Sequence, residues 1–375
     1  MSVAADVVIV GAGIVGAACA MELAKEKFRV TVVDGGLVGS GATAAGMGHI
    51  VVMDDSEAQF ALTQYSVALW RELSAELPAD CEYEARGTVW VAAAANEMQE
   101  VERKSAYYRE RGVDAQILDA QALREAEPNL RAHLPGALLV PNDAVLYAPC
   151  AAKFLLRRAV EFGARTRLGC HAVSIGKGTV RLSDDTSLSA KFAINAAGAN
   201  APALTPGISI KPRKGHLVIT DRYPGTIHHQ VVELGYLRSA HSDTTDSVAF
   251  NLQPRKTGQI LIGSSRQYDV QHPEPDSAMV TRMLERAFEF MPKLEKLSAI
   301  RVWTGFRAAT PDKLPLIGGW PEDDSVILAT GHEGLGITTS LATGRIVADG
   351  LLQRKSAIAT EAYSPSRQMS EVAHG

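Results

Sequence analysis

Cysteine is scarce in this chain, with four in 375 residues. Cys19, Cys81, Cys150 and Cys170 form no close pair, which excludes zinc or iron–sulfur ligand spacings and a disulfide framework. An iron–sulfur centre on any electron path would therefore belong to another chain. No metal-ligand motif and no Ser-His-Asp pattern is found. A long hydrophobic run is also missing. The first apolar stretch, residues 7–10, follows Asp6 rather than a basic segment and breaks at Gly11. It reads as neither a signal peptide nor a membrane span, so a cytoplasmic protein is expected. Basic excess is absent too: 38 Lys and Arg stand against 42 Asp and Glu, a formal charge of −4, and no basic cluster stands apart. A nucleic-acid partner is not expected. There is no internal repeat, and only the tail beyond about Lys355 looks loosely organised.

What the chain does have is material for a large core: 46% of its residues are hydrophobic, enough for one big domain or two intertwined ones. Residues 6–10 are a short β-branched run, residues 14–25 carry apolar side chains at helical spacing, and residues 29–34 are a second β-branched run. Together they predict a βαβ unit. Further βα repeats do not follow. Residues 57–77 predict one long helix, and mixed strands and helices after it interrupt parallel winding early. A helix is predicted over 149–163, strand-like segments over 172–182 and 192–196, short strands with Gly and Pro punctuation over 214–266, and an amphipathic helix over 276–291. A strand at 326–329 and a helix at 334–353 repeat the N-terminal order of strand, glycine turn and helix.

Gly11-Ala12-Gly13-Ile14-Val15-Gly16 has the G-x-G-x-x-G spacing directly after a strand and at the opening of a helix. The glycines serve a tight turn, close backbone approach to a pyrophosphate and close helix–strand packing. The helix N-terminus offers free N–H groups to phosphates. Asp34, at the end of the second strand, is placed to accept hydrogen bonds from ribose hydroxyls and to repel a 2′-phosphate. A glycine turn alone can serve plain packing and Asp34 alone can be a surface turn acid, but strand, helix and terminal acid in register favour a dinucleotide site.

With these features the sequence resembles the D-amino acid oxidase and glycine oxidase superfamily of FAD-dependent amine oxidoreductases, from the N-terminus to about Leu352. Gly39-Ser40-Gly41-Ala42-Thr43-Ala44-Ala45-Gly46-Met47-Gly48-His49 looks like the family's small-residue loop under the flavin, where backbone approaches the ring closely. Asn195-Ala196-Ala197-Gly198-Ala199 looks like the returning strand and turn beside the dinucleotide, and Val173 falls at the adenine end. Gly331-His332-Glu333-Gly334-Leu335-Gly336-Ile337-Thr338 looks like the glycine turn whose helix aims N–H groups at the flavin N1 and C2 carbonyl. Asp34 departs from the Glu of many members. The resemblance implies an α/β fold: a Rossmann-like FAD-binding domain of glutathione reductase-like topology over 1–80, 140–210 and 305–375, and a substrate domain of antiparallel sheet plus helices over 81–139 and 211–304. It assigns contact with non-covalent FAD to Gly11, Gly13, Ile14, Val15, Gly16, Asp34, Gly35, Ser40, Gly41, Ala42, Thr43, Gly46, Met47, Gly48, Val173, Ala197, Gly198, Gly305, Arg307, Gly334, Leu335, Gly336, Ile337 and Thr338.

For the substrate, Arg307 in Trp303-Thr304-Gly305-Phe306-Arg307-Ala308-Ala309-Thr310-Pro311-Asp312 matches the position of the family's carboxylate-gripping arginine. A planar guanidinium fork suits that bidentate task. The alternative is a structural pairing with Asp312. Glu333 stands where relatives often carry a second basic residue, which argues against a two-arginine clamp and leaves it to solvent, a partner subunit or the substrate ammonium. Met47 is expected as apolar wall, His49 as a hydrogen-bonding group near the ring, and His332 as a cap or a packed residue. Tyr236, Asn251 and Gln253 are assigned to the sheet roofing the pocket, with Asn251 and Gln253 on one face.

The implied reaction is oxidation of a C–N bond by hydride transfer to flavin N5, giving an imine that water hydrolyses. Residues 45–56 with His332-Glu333-Gly334-Leu335-Gly336 look most like FAD subunits of bacterial heteromeric amino acid dehydrogenases, D-hydroxyproline dehydrogenase among them. That implies a small amino or imino acid substrate and partner subunits carrying electron-transfer centres. A stand-alone glycine or sarcosine oxidase producing peroxide, an opine dehydrogenase subunit and a non-catalytic FAD scaffold are the alternatives.

Overall fold

The computed structural model describes residues 5–235 and 246–368. The first β-branched run becomes the strand Ala5–Val10 at the centre of a sheet. Its side chains are buried on both faces, which parallel strands require. Val7 and Ile9 pack among helices, whereas Val8 and Val10 pack under an antiparallel hairpin. The strand order is Leu316–Trp320, Asp323–Thr330, Ser187–Asn195, Ala5–Val10, Val30–Asp34 and Arg165–Leu168. All neighbours run parallel except the edge strand Leu316–Trp320.

The first helix, Ile14–Lys25, has the bounds its apolar spacing predicts, and the last, Gly336–Leu351, packs against it. Small residues allow this: a Cβ at Gly344 would stand 2.8 Å from the Ala18 carbonyl oxygen. The two ends of the sequence are thereby joined beside one sheet.

A second sheet is ordered Ala299–Ala309, Lys211–Thr220, Ile260–Arg266, Ser247–Pro254, Gln230–Glu233, Thr88–Ala92, Gly136–Val140 and Gln116–Asp119. It is antiparallel except where Gln230–Glu233 meets Thr88–Ala92. The amphipathic helix Ser277–Phe290, N-capped by Asp276, seals it with Phe290 stacked on Phe250 at 4.5 Å. The strand Ala299–Ala309 runs through position 305 and belongs to this sheet along its whole length.

Two predicted elements differ in detail. The long helix begins at a Ser56 cap but ends at Leu73, passing into a 3₁₀ turn over Ser74–Glu76. The Ser74 hydroxyl donates to the Arg71 carbonyl and Pro78 follows, both of which oppose further helix. Residues 172–182 form a hairpin, Ala172–Gly176 and Thr179–Leu182, turned at Lys177 and Gly178, both with positive φ. Among the described residues no helix is long and apolar enough to cross a membrane.

Candidate active site

The glycine turn after the first strand brings backbone against backbone. Gly11 has φ +115, and a Cβ on it would lie 2.4 Å from the Ala196 carbonyl oxygen; a Cβ on Gly16 would lie 1.9 Å from the Gly11 oxygen. Gly13, Ile14 and Val15 line a cleft of about 330 Å³. The Ile14 N–H is held by the Thr43 hydroxyl at 3.0 Å, which fastens the small-residue loop to the helix N-terminus. Asp34 borders the same cleft, its carboxylate fixed by the N–H groups of Ala12 at 2.6 Å and Gly36 at 2.7 Å.

The loop Ser40 to Gly48 forms the next stretch of wall and lies directly on the second sheet. A Cβ on Gly305 would be 2.3 Å from the Ala45 Cβ, so glycine at 305 is what lets the loop approach. Across the strand pair Gly305 faces Gly215, and the pair presents bare backbone to the cleft. Met47 leans on the neighbouring strand, its sulfur 3.2 Å from where a Gly263 Cβ would be, and supplies the expected apolar wall. His49 leaves the loop in a short pairing with Val145, and its carbonyl accepts a hydrogen bond from the Thr338 hydroxyl at 2.8 Å. Burial pushes the His49 imidazole down to about 3, so it is neutral, and its Nε2 is buried with no hydrogen-bond partner among the described residues.

Arg307 enters from the strand Ala299–Ala309. Its guanidinium lies over Gly215, where a Cβ would come within 2.6 Å of it, and Nη1 donates to the Ser265 carbonyl at 2.9 Å. Ser265 is itself held: its hydroxyl bonds His216 Nδ1 at 2.8 Å, and His216 Nε2 accepts the Asp276 N–H at 3.0 Å. Burial, with help from Lys214, holds His216 down to about 4, which keeps Nε2 an acceptor. Asp312, the partner of the structural alternative for Arg307, pairs with Arg367 at 2.6 Å.

The glycine turn Gly331 to Gly334 packs against Arg307. His332 is neutral, pushed down to about 3 by burial, and its Nε2 lies 2.9 Å from the Thr343 hydroxyl. That hydroxyl donates to the Thr339 carbonyl, so His332 Nε2 is the donor. Glu333 faces the cleft rather than solvent and forms an ion pair with Arg213. Gly336 and Ile337, at the start of the last helix, close this side.

Of the residues assigned to the cofactor, Gly16, Gly35, Val173, Leu335 and Thr338 do not line the cleft. Gly16 packs beneath the turn, Gly35 lies against His171, and Leu335 packs in an apolar cluster with Val51 and Phe60. Thr338 is occupied by the backbone around His49 and Val51. Val173 is 48% exposed on the outer hairpin. Asn251 lines the cleft; Gln253, on the same strand, reaches Gly48 instead. Tyr236 lies outside the described residues. Sequence reasoning missed Arg213, Gly215, Leu217, Ser264 and His216. Alternation along 213, 215 and 217, once that segment is a strand, was the available signal. Asn251 Oδ1 and Ser264 Oγ are buried without hydrogen-bond partners among the described residues and line the cleft, where a ligand or water can satisfy them.

The cradle fits FAD. Backbone-lined turns meet Asp34 at the dinucleotide end, and the Gly215–Gly305 pair, Met47 and the last helix N-terminus leave room for a planar ring at the other.

The family model "FAD dependent oxidoreductase" (DAO) matches residues 6–350. Glycine oxidase of Geobacillus kaustophilus is 28% identical over 98% of this chain and 98% of its own, and its crystal structure superposes with a TM-score of 0.86 over 97% of this chain and 98% of that one. Hydrogen cyanide synthase subunit HcnC of Pseudomonas aeruginosa is 28% identical over 94% of this chain and 93% of its own. The L-proline dehydrogenase of P. horikoshii, 24% identical, shares the fold with a TM-score of 0.88 over 99% of both chains.

Proposed function

Since this chain belongs to the DAO family of FAD-dependent oxidoreductases, we propose that it oxidises the C–N bond of a small amino or imino acid of the D-hydroxyproline or D-proline type, giving an imine. The observation that carries the reading is Arg307: a guanidinium braced on Gly215 and Ser265, facing a cleft whose other walls fit a dinucleotide and a planar ring. It would hold the substrate carboxylate and so fix the α-carbon. Bound in the cleft without a covalent link, FAD supplies the hydride acceptor. Asn251 and Ser264 would meet the substrate's polar atoms, Met47 and Leu217 its apolar ones, and the neutral His49 adds no charge beside the reacting nitrogen.

The remaining assignments of FAD-contacting residues, and that of Tyr236 to the roof of the pocket, belong to this proposal, as does the division into an FAD unit over 1–80, 140–210 and 305–375 and a substrate unit over 81–139 and 211–304. So does transfer of electrons to partner subunits, which the resemblance of HcnC, named as a subunit, supports. The second reading, a stand-alone glycine or sarcosine oxidase, is favoured by the glycine oxidase likeness over nearly the whole chain.

Product chemistry tests the proposal. Incubation with D-proline or cis-4-hydroxy-D-proline and an artificial acceptor should give a cyclic imine that o-aminobenzaldehyde traps, with little peroxide in air. Glyoxylate from glycine with stoichiometric peroxide would favour the second reading, and no product from any of them would refute both.

A further inference from the structure

Among the described residues, the charged side chains lining the cleft are Asp34 at one end and Arg307 and Glu333 at the other. Arg213 stands behind Glu333, directly opposite Arg307 in the antiparallel register and 5% exposed. It pairs with Glu333 and donates to the Tyr268 hydroxyl at 3.3 Å. Glu333 is held in turn: its backbone is left-handed, with φ +52, and its N–H donates to the Ala308 carbonyl at 3.0 Å. The two cleft histidines, His49 and His332, are neutral. Lys214 and His216 alternate with Arg213 along the strand; the buried Lys214 ammonium donates to the Glu274 main-chain carbonyl, and His216 Nε2 accepts the Asp276 N–H. Arg307, Arg213 and Glu333 together gather two guanidiniums and one carboxylate, a net charge of one for these three side chains.

We propose that the Arg213–Glu333 pair is a charge filter that restricts the site to substrates bearing a single carboxylate. The inference rests on Arg307 as the carboxylate anchor and deepens that reading by naming the substrate class. One carboxylate on Arg307 brings these three side chains and the ligand to neutrality. A second, as in an N-carboxymethyl amino acid, would bring another negative charge beside Glu333, the carboxylate that lines this end of the cleft, and like charges at such a site reject the ligand. A pair that merely secured the turn would affect ligands with one and two carboxylates alike.

The test is calorimetric binding of two ligands with no oxidisable C–N bond, furan-2-carboxylate and malonate, to the FAD-loaded protein. Wild type should prefer furan-2-carboxylate. Glu333→Gln raises the net charge to two and should move the affinity ratio toward malonate by about tenfold or more. Arg213→Met lowers it to zero and should weaken both ligands and move the ratio the other way. Because the two single variants shift the ratio in opposite directions, either one alone decides. The double variant restores a net charge of one and should return the ratio close to that of wild type. A ratio unmoved in the single variants, or a double variant no closer to wild type than they are, overturns the filter. Arg307→Met that leaves furan-2-carboxylate binding intact overturns the anchor beneath it, a distinct failure.

Discussion

Arg307 and Arg213 stand directly opposite each other on antiparallel strands, yet only Arg307 lines the cleft, because Glu333 stands between Arg213 and the space where a substrate would lie. Two like charges in adjacent register positions disfavour a sheet. Here the Glu333 carboxylate paired with Arg213 and the Ser265 carbonyl accepting from Arg307 offset that cost.

If Arg307 grips a carboxylate, its support matters as much as its charge. Gly215→Ala places a methyl group within 2.6 to 2.8 Å of the guanidinium and must displace it. We expect kcat/KM to fall by about tenfold to a hundredfold, mainly through KM, with flavin content unchanged. Arg307→Met should cost more, about a hundredfold or greater. Steady-state kinetics beside the flavin-to-protein absorbance ratio checks both.

Gly305→Ala should behave in the opposite way. Its methyl group would meet Ala45 Cβ at 2.3 Å and lift the small-residue loop from the sheet. The protein should purify with much less flavin, and dialysis against FAD should restore activity only in part. Full occupancy with normal kinetics would mean that the loop has slack the structure does not show.

Asp143 holds residue 52, just beyond the loop: its buried carboxylate accepts the Val52 N–H at 3.3 Å. Burial raises its pKa to about 7, against a reference value of 3.8. The folded protein thus holds a proton there that the unfolded chain releases, so stability associated with this group is present below the unfolded value and is lost as pH rises through about 7. Asp143→Asn should raise the melting temperature at pH 8 and change it little at pH 4. Equal shifts at both would show that Asp143 does not titrate in this window.

Lys104 and Asp54 form a fully buried ion pair, with the ammonium 4.7 Å from the ring centroids of both Trp90 and Tyr108. Desolvation lowers the Lys104 pKa despite its partner. Removing the ammonium leaves the buried Asp54 carboxylate with only the half-exposed Arg103 guanidinium at 3.4 Å, so Lys104→Met should destabilise by about 3 kcal/mol. Adding Asp54→Leu should recover much of that. Urea unfolding of the single and double variants measures it.

The dinucleotide end was legible because its signals are local: glycine spacing, β-branched runs and a terminal acid all fall between Ala5 and Asp34. At the other end Arg307, the glycine turn, Met47, His49 and Asn251 were named from the sequence and line the cleft. Its other members come from strands at 211–220, 260–266 and 299–309, brought together by long-range pairing that periodicity within one segment does not encode. For the same reason Glu333 could be flagged as unusual while its partner Arg213 went unseen.

The most direct measurement is anaerobic bleaching of the bound flavin, followed near about 450 nm, on separate addition of cis-4-hydroxy-D-proline, D-proline, glycine and sarcosine. Rapid bleaching by an imino acid, lost in Arg307→Met and slow to recover in air, is the predicted result. A flavin that none of these substrates bleaches, in protein that is folded and fully loaded, would contradict the account.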